Sequence, residues 1–371
     1  MKKNLFNLFI VLIVLFIFNG CQDKYKKKGY YYDNTTDFTI KSFETADTSF
    51  VNCGVEKWPN GKEKVVVFTW DDCCHGISGV REIFDKYNIK TTFFVNTAII
   101  DNWYVKIRLL YKGSISRVLK NALKKGHEVS SHTHDHLKLT DISLTEVENQ
   151  LKMSSNTIFE HFGYYPSTFS HPQSYYNETI DSLMRLYYLD SRYSVKNDSD
   201  TLIRYLQIRS SYQFEFYKNN FDSFILSTSD QYVYGGHQLR GGYEPIAEAT
   251  LDSLLSYITE KYSDICWITT YEDVVLYKRI REAVTITNDR GVVKIDISRI
   301  KDILSHYSHP HALLTLKFER ENLDFLSDGL VNYWYDGEDT YCTVDLRKTN
   351  ELRYKVVEKN MFQQPMRNRL Y

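Results

Sequence analysis

Hydrophobic and polar positions alternate between residues 64 and 280 in a way that predicts strands followed by helices. The first strand is the apolar run of residues 65–68, whose β-branched side chains are typical of a buried strand in a parallel sheet. Similar runs recur with helical segments between them, giving seven or eight strand–helix repeats. We therefore predict an α/β barrel. An open doubly wound sheet is the alternative, although no glycine-rich phosphate-binding sequence follows the first strand.

Helix starts and strand ends both carry informative polar residues. Ser143 and Glu146 form a capping-box pattern, and Asn177 is a candidate cap for the next helix.

Because the carboxyl ends of barrel strands meet at one face, we expect the polar residues that end the strands to converge there. Those residues are Asp71, Asp72, Asn96, His132, His171, Arg209 and His237.

A different pattern begins near residue 284. Residues 284–287 and 292–297 are alternating runs on either side of residues 288–291, which predicts a hairpin. Further alternating runs follow at residues 312–318, 341–346 and 353–357. We therefore predict a small all-β, sandwich-like domain over residues 283–371, after an α/β domain over residues 56–282. The β-domain is expected to carry no catalytic residue.

The N-terminal segment has the pattern of an export signal. Lys2 and Lys3 precede an apolar stretch, residues 5–18, that is too short for a confident transmembrane helix. The stretch ends at Gly20 and Cys21, which resembles a bacterial lipobox, where the cysteine is lipidated. An ordinary signal peptide with an incidental cysteine is the alternative. We predict a lipoprotein signal over residues 1–21, a flexible tether over residues 22–55, and a lipid-anchored location in the bacterial cell envelope, outside the cytoplasm.

Composition and charge limit the expected classes of partner, the disulfides and the core. The formal net charge of -1 gives no reason to expect a nucleic-acid partner. Beyond Cys21 the chain has five cysteines, and this odd number does not predict a complete disulfide framework. The 30 Tyr and 21 Phe residues supply enough aromatic surface for a large core.

The chemistry begins at Asp71 and Asp72, directly after the first strand. Two adjacent carboxylates repel each other, so such a pair needs a metal ion or a bound proton. His132 and His136 are four residues apart and follow a short strand, so they can converge on a helical turn or on a tight loop. One carboxylate and two imidazoles leave open positions on a divalent ion. We therefore predict a metal site built from these residues.

These strand ends resemble the motifs of the polysaccharide deacetylase family, also called the NodB-homology or carbohydrate esterase 4 family. Residues 69–72 resemble its first motif and residues 132–136 its second, while residues 234–237 are similar to the late motif that ends in a catalytic histidine. Residues 91–95 match its second strand. The resemblance covers about residues 64–280.

The resemblance implies a distorted (β/α) barrel that removes acetyl groups, N- or O-linked, from a polysaccharide or oligosaccharide. Asp71 would be the general base and His237 the general acid. Asp72, His132 and His136 would hold the divalent ion, with Zn²⁺ expected first and other first-row ions possible. The implied partners are an acetylated glycan and, through the lipid anchor, a membrane.

The chain departs from the family pattern in three places, one of which is the poor match of residues 193–231 to the family's remaining motif. Residues 73–75, Cys-Cys-His, intervene after the two aspartates, where they either shape the rim of the site or bind metal themselves. The third motif usually has an arginine that braces the base, but residues 169–173 contain none. Arg209 or Arg192 could supply that charge from another strand. The missing arginine keeps an alternative open, namely a catalytically inactive carbohydrate-binding protein on the same barrel.

The candidate substrate-binding residues lie at later strand ends. They are His171, Pro172, Tyr175 and Arg209. Tyr175, Tyr176 and Trp103 could stack on sugar rings, although packing in the core is an equally good interpretation.

Replacing Cys21 with alanine is expected to release the protein from the membrane, because acyl chains on that cysteine would be the anchor. Detergent phase partitioning of both proteins, expressed with the native signal, checks this. The wild type should enter the detergent phase and Cys21→Ala the aqueous phase. If both remain in the aqueous phase, Cys21 carries no anchor.

Overall fold

The computed structural model describes residues 51–72, 76–101, 115–192, 203–209, 212–239, 244–306, 311–320 and 322–356. The predicted signal segment with Cys21, the tether up to residue 50, residues 73–75 and Trp103 lie outside the described residues. Within the described ranges, no helix is long and apolar enough to cross a membrane.

The described chain begins with a short strand, β1 (Cys53–Val55), and then enters a parallel sheet. The strands of that sheet are β2 (Lys64–Trp70), β3 (Thr92–Val95), β4 (Glu128–Ser131), β5 (Thr168–Ser170), β6 (Asp190–Arg192), β7 (Ile203–Gln207), β8 (Gln231–Gly236) and β9 (Cys266–Thr269). Seven of them follow the order β6-β5-β4-β3-β2-β8-β7, and β9 pairs with the start of β2. The sheet curls into a distorted barrel, so the predicted fold class is confirmed.

Helices alternate with these strands, as the hydrophobic pattern predicts. They are α1 (Ile77–Lys86), α2 (Ala98–Asp101), α3 (Ile115–Lys124), α4 (Leu144–Phe162), α5 (Glu178–Met184), α6 (Phe214–Ile225), α7 (Glu248–Tyr262) and α8 (Tyr271–Ala283). The Ser143 side chain caps α4 by accepting a hydrogen bond from the Glu146 backbone N–H at 3.2 Å. The Asn177 side chain caps α5 in the same way, through Ile180 N at 2.9 Å. Both predicted caps are confirmed.

The central strand, β2, has both faces buried. Val66, Phe68 and Trp70 pack with residues of the outer helices, while Val65 and Val67 pack with the buried side chains of α8. On one side β2 pairs with β8 along its length, and on the other it pairs first with β9 and then with β3. The carboxyl end of β2 is therefore held by strands on both sides.

The C-terminal part consists of two antiparallel sheets, as predicted. Its elements are β10 (Thr285–Asp289), β11 (Val292–Asp296), α9 (Lys301–His306), β12 (Leu313–Phe318), β13 (Leu323–Leu326), β14 (Leu330–Tyr335), β15 (Thr340–Asp345) and β16 (Glu351–Val356). The sheet orders are β1-β12-β15-β14 and β10-β11-β16-β13. The predicted hairpin forms between β10 and β11, where Arg290 and Gly291 both have positive φ, 46° and 78°, as a two-residue hairpin turn requires.

One strand of this sandwich comes from before the barrel. Cys53 of β1 lies opposite Phe318 of β12 in an antiparallel pair, although the sequence analysis placed residues 53–55 in the tether. The Asn60 backbone N–H also donates to Thr315 Oγ1 at 3.0 Å, and Ile280 of α8 is buried with sandwich residues. The barrel and the sandwich therefore share contacts, and a division near residue 282 stays a prediction.

A buried carboxyl group supports the amino end of the barrel. Glu128, which begins β4, is 5% exposed and accepts hydrogen bonds from Thr92 Oγ1 at 2.7 Å and from the Glu272 backbone N–H at 2.8 Å. Burial, followed by the negative charge of Glu272, raises the pKa of Glu128 above its ordinary value. Folding therefore favours the protonated form of this side chain.

Replacing Glu128 with glutamine is expected to flatten the pH dependence of stability. A carboxyl group whose pKa is raised by folding contributes stability that is fully present below its ordinary pKa of 4.5 and is lost as the pH rises through the folded-state pKa. Glutamine keeps the shape and never ionises. Between about pH 5 and about pH 9, the free energy of unfolding of Glu128→Gln, measured with denaturant, should rise by more than about 1 kcal/mol relative to that of the wild type. The exposed Glu82→Gln serves as control, and equal pH slopes in Glu128→Gln and wild type would contradict the expectation.

Candidate active site

The site is built where β2 ends. Asp71 continues the ladder, because its backbone N–H donates to Gly236 O at 2.8 Å. Asp72 then turns sharply, with φ of 67°, a left-handed conformation that is uncommon outside glycine. Side chains of adjacent strand residues point to opposite sides of a sheet. The bend at Asp72 therefore changes the direction of the second carboxylate, so that the two carboxylates contact different partners.

Asp72, His132 and His136 come together as the sequence predicts. Asp72 Oδ1 lies 3.0 Å from His136 Nε2 and 3.5 Å from His132 Nε2. One ligand atom from each of the three side chains lies within 4.8 Å of the other two, and no second group of this kind occurs among the described residues. A carboxylate with two imidazoles suits zinc and other first-row divalent ions.

The two histidines converge on a tight loop and not on a helix. His132 ends the strand region, while Thr133 and His136 both have positive φ, 66° and 60°. Such a conformation is costly for the β-branched Thr133, which makes this a strained loop of the kind found at functional sites. The His136 backbone N–H donates to Thr133 Oγ1 at 3.1 Å and closes the turn. The loop therefore turns both Nε2 atoms toward Asp72.

The ring of His132 is held in one orientation. Its Nδ1 lies 2.7 Å from Ser170 O, so Nδ1–H donates to that carbonyl and Nε2 keeps its lone pair for a ligand. By contrast, Nδ1 of His134 lies 2.9 Å from Thr97 Oγ1, and His134 is not a member of the cluster. His134, which lies between the two predicted ligands in the sequence, therefore contacts Thr97 and not the cluster.

The electrostatics of the cluster fit a divalent cation. Burial would raise the pKa of Asp72, but the hydrogen bond from His136 and the charges of His132, His136 and His237 outweigh it and lower that pKa to about 2. Burial lowers the pKa of His132, whereas the hydrogen bond to Asp72 raises the pKa of His136. The cluster thus offers an ionised carboxylate, a neutral imidazole and a second imidazole whose proton a cation would displace.

Asp71 has a separate partner, a buried guanidinium. Arg192, at the end of β6 and 4% exposed, forms an ion pair with Asp71 Oδ2. Ser170 Oγ lies 3.4 Å from the other carboxylate oxygen of Asp71. Of the two arginines that the sequence offered to replace the missing motif arginine, the structure places Arg192 on Asp71. Arg209 is 45% exposed and lies 3.5 Å from Glu244.

The remaining predicted residues differ in exposure. His237 follows β8 and is half-buried, and its charge contributes to the low pKa of Asp72. His171 is 2% exposed, with Nε2 3.3 Å from Asp181 Oδ1, and Pro172 is also buried. Tyr175 is 49% exposed, and Lys138 Nζ lies 4.1 Å from the centre of its ring. The substrate-binding assignments of these residues remain predictions.

Two side chains near Asp71 were not predicted from the sequence. They are Ser170, whose hydroxyl accepts a hydrogen bond from Arg192 Nη2 at 2.5 Å, and Tyr205, whose hydroxyl accepts one from Arg192 Nη1 at 3.0 Å. The glycines at residues 235 and 236 are a sequence signal for a close neighbour such as Tyr205, because glycine within a strand often marks a place where another group approaches the backbone closely. A Cβ atom on Gly235 would lie 2.0 Å from Tyr205 Oη.

Comparison with known proteins finds a family match within the barrel. Residues 59–190 match the family model for polysaccharide deacetylase, a stretch that contains the two aspartates and both histidines of the cluster. The resemblance deduced from the motifs is therefore confirmed over these residues.

Two curated relatives each match about a third of the chain. Peptidoglycan-N-acetylglucosamine deacetylase PgdA of Listeria monocytogenes is 31% identical over 130 residues, which is 34% of this chain and 25% of that protein. A peptidoglycan-N-acetylglucosamine deacetylase of Bacillus cereus is 27% identical over 125 residues, 33% of this chain and 52% of that protein. The chain thus spans a quarter to about half the length of these relatives.

Solved structures of low identity are also similar to the chain. A family 4 acetyl xylan esterase from Clostridium thermocellum, crystallised with a cobalt ion, is 16% identical with a TM-score of 0.42, covering 57% of this chain and 90% of that one.

His136→Ala is expected to lose the divalent ion, because removal of one of three protein ligands typically collapses occupancy. Titration with Zn²⁺ followed by metal analysis measures this. His134→Ala is the matched control, since His134 lies in the same loop but outside the cluster. Full stoichiometric occupancy in His136→Ala would count decisively against this site.

Proposed function

We propose that this protein is a metal-dependent hydrolase that removes acetyl groups, N- or O-linked, from a polysaccharide or oligosaccharide outside the cytoplasm. The single observation that carries the proposal is the separation of the two aspartates. Asp72 faces His132 and His136, while Asp71 is free of that cluster and paired with Arg192. A protein that only binds sugars has no need of such a division.

The proposed roles follow from the geometry. Asp72, His132 and His136 hold Zn²⁺ or another first-row divalent ion, which when bound would polarise the acetyl carbonyl and lower the pKa of a water molecule. Asp71 accepts the proton of the attacking water, since its carboxylate is not used as a ligand. His237 donates a proton to the departing amine or alcohol, for which an imidazole is suited near neutral pH.

The names of the relatives suggest a substrate, and several side chains are candidates for binding it. Both curated relatives are named peptidoglycan-N-acetylglucosamine deacetylases, so acetylated peptidoglycan is the first glycan to test. The half-exposed ring of Tyr175 would stack on a sugar, and the half-exposed Arg209 would donate hydrogen bonds to it. His171 and Pro172 are buried just before Tyr175 in the chain and would support the backbone of that segment. The lipid anchor at Cys21 would hold the enzyme in the cell envelope beside such a glycan.

The alternative function is a catalytically inactive carbohydrate-binding protein on the same barrel. The motif arginine missing from residues 169–173 is the sequence feature that favours it. The ion pair between Arg192 and Asp71 argues against it, because the lost charge is supplied from another strand. We therefore rank the enzyme first.

Asp71→Asn is expected to lower acetate release by about 10²–10⁴-fold, because asparagine keeps the shape and removes the proton acceptor. Acetate is measured from acetylated peptidoglycan, N-acetylglucosamine oligomers and acetylated xylan, with metal content checked in each sample. The matched control is Asp135→Asn, in the histidine loop, where Asp135 bonds Gln150 Nε2 at 2.9 Å and lies outside the cluster.

Two results would revise this assignment. If Asp71→Asn kept most of the wild-type activity, the base would lie elsewhere. If the wild type released acetate from none of these glycans while binding one of them, the inactive binding protein would become the better conclusion.

A further inference from the structure

We propose that Gln150, a buried residue of α4, is a positioning residue that holds the histidine loop, residues 132–136, and thereby sets the affinity of the site for its divalent ion. The inference rests on the metal site of the proposed function. It adds a side chain outside the three proposed ligands, Asp72, His132 and His136, on which the position of one of them depends.

The two histidines of the loop are held in different ways. The His132 backbone N–H donates to Val95 O at 2.8 Å, and its ring is fixed by the contact of Nδ1 with Ser170 O at 2.7 Å. The ring of His136 is 29% exposed, and its Nε2 lies 3.0 Å from Asp72 Oδ1, which would itself be a ligand. The position of His136 therefore depends on the backbone that carries it.

That backbone is strained, and its first half is supported by the segment that follows β3. Thr133 and His136 have φ of 66° and 60°, which side chains other than glycine adopt at a cost. The Thr97 backbone N–H donates to Thr133 O at 3.1 Å, and that of Ala98 donates to His134 O at 3.0 Å. These backbone bonds end before Asp135, the residue that precedes the second ligand.

Gln150 supports the second half of the loop. Its Oε1 accepts a hydrogen bond from the Asp135 backbone N–H at 2.8 Å, and its Nε2 donates to Asp135 Oδ2 at 2.9 Å and to Glu146 Oε1 at 3.0 Å. A backbone N–H only donates and a carboxylate only accepts, so these partners allow one orientation of the amide. Gln150 thus holds both the backbone and the side chain of Asp135.

The burial of Gln150 makes this contact specific. Gln150 is 1% exposed and lies on the inner face of α4 beside Val147 and Leu151, which are both fully buried. An amide in such a place is unfavourable unless its donors and acceptor have partners. The histidine loop supplies two of its three hydrogen bonds, so the loop is the main partner of this buried amide.

Loss of these bonds would release the strain of the loop. Without Gln150 Oε1, the Asp135 N–H no longer ties the loop to α4, and the backbone at His136 can relax from its positive φ. The loop would then present His136 beside Asp72 for only part of the time. The apparent affinity for an ion falls in proportion to that fraction, so the expected change is a higher Kd in a protein that is still folded.

The test measures the Kd for Zn²⁺ of the full-length chain, stripped of metal and titrated against a competing chelator. Gln150→Met keeps the length of the side chain and removes its amide, so it should raise the Kd about 10–100-fold. The visible absorption of bound Co²⁺ should change in the same variant, because that absorption reports ligand geometry. Asn149→Met, the same change at the exposed neighbouring position of α4, should leave the Kd unchanged.

An exchange of donor and acceptor supplies the rescue. Gln150→Glu combined with Asp135→Asn keeps the net charge of the wild type, and the new carboxylate accepts from both the backbone N–H and the side-chain amide of residue 135. Because the bond to Glu146 is lost, the rescue is incomplete, and the Kd should be at least about threefold lower than in Gln150→Met. Asp135→Asn alone keeps an oxygen that accepts from Gln150 Nε2, so its Kd should match the wild type.

Three outcomes would overturn the proposal. The first is a Kd of Gln150→Met within about threefold of the wild type, and the second is an equal Kd in Gln150→Met and in the exchange variant. The third is a lower thermal midpoint of metal-free Gln150→Met with no change in Kd, which would show a merely structural role. If circular dichroism shows that Gln150→Met is unfolded, Gln150→Asn, whose amide is one methylene short of Asp135, is judged by the same criteria.

The failure of this proposal can be told apart from failure of the proposed function, because Kd is measured without turnover. If Gln150→Met weakens Zn²⁺ binding while the wild type releases no acetate, the positioning role holds and the catalytic function is wrong. If the wild type binds no Zn²⁺, the metal site is wrong and the positioning role falls with it. If the wild type releases acetate and Gln150→Met binds Zn²⁺ as tightly, only the positioning role is wrong.

Discussion

The structure depends on keeping two adjacent carboxylates apart at the end of a buried strand. Asp71 and Asp72 would repel each other if both faced the same apolar surroundings. The left-handed bend at Asp72 sends one carboxylate to the two histidines, while Arg192 neutralises the other. Each carboxylate thus has its own positively charged or proton-bearing partner. The side chains of Asp71 and Asp72 are 12% and 23% exposed, so water screens their repulsion only in part and the separation is needed.

The features that the sequence predicted well are those set by local rules. The alternation of apolar runs predicted the strands and helices, and the cap at Ser143 marked the start of α4. The convergence of Asp72, His132 and His136 followed from the rule that parallel strands present their carboxyl ends at one edge. These inferences needed periodicity, capping and strand direction, but no knowledge of which side chains touch. The fold class and the resemblance to the family were predictable for that reason.

The features that the sequence did not predict depend on tertiary contacts. β6 has three residues, Asp190–Arg192, which is too short for a hydrophobic pattern, so its arginine could not be chosen over Arg209 by periodicity. Only the register of β5 with β6, with Ser170 beside Arg192, decides that choice. Similarly, nothing in the composition of residues 53–55 indicates a strand, because their partner lies in β12. Pairings of such large sequence separation leave no local signal.

The pairing of β1 with β12 also constrains the order in which the chain can fold during synthesis. The barrel is inserted between the first strand of the sandwich and all its other strands, so that Cys53 meets Phe318. At about 5–20 residues per second, roughly 260 residues of synthesis separate these two partners by about 13–50 s. During that interval β1 has no strand beside it while the barrel assembles. The sandwich can therefore form only after the barrel sequence has left the ribosome, and a nascent chain that stalls before β12 would keep an unpaired strand at its beginning.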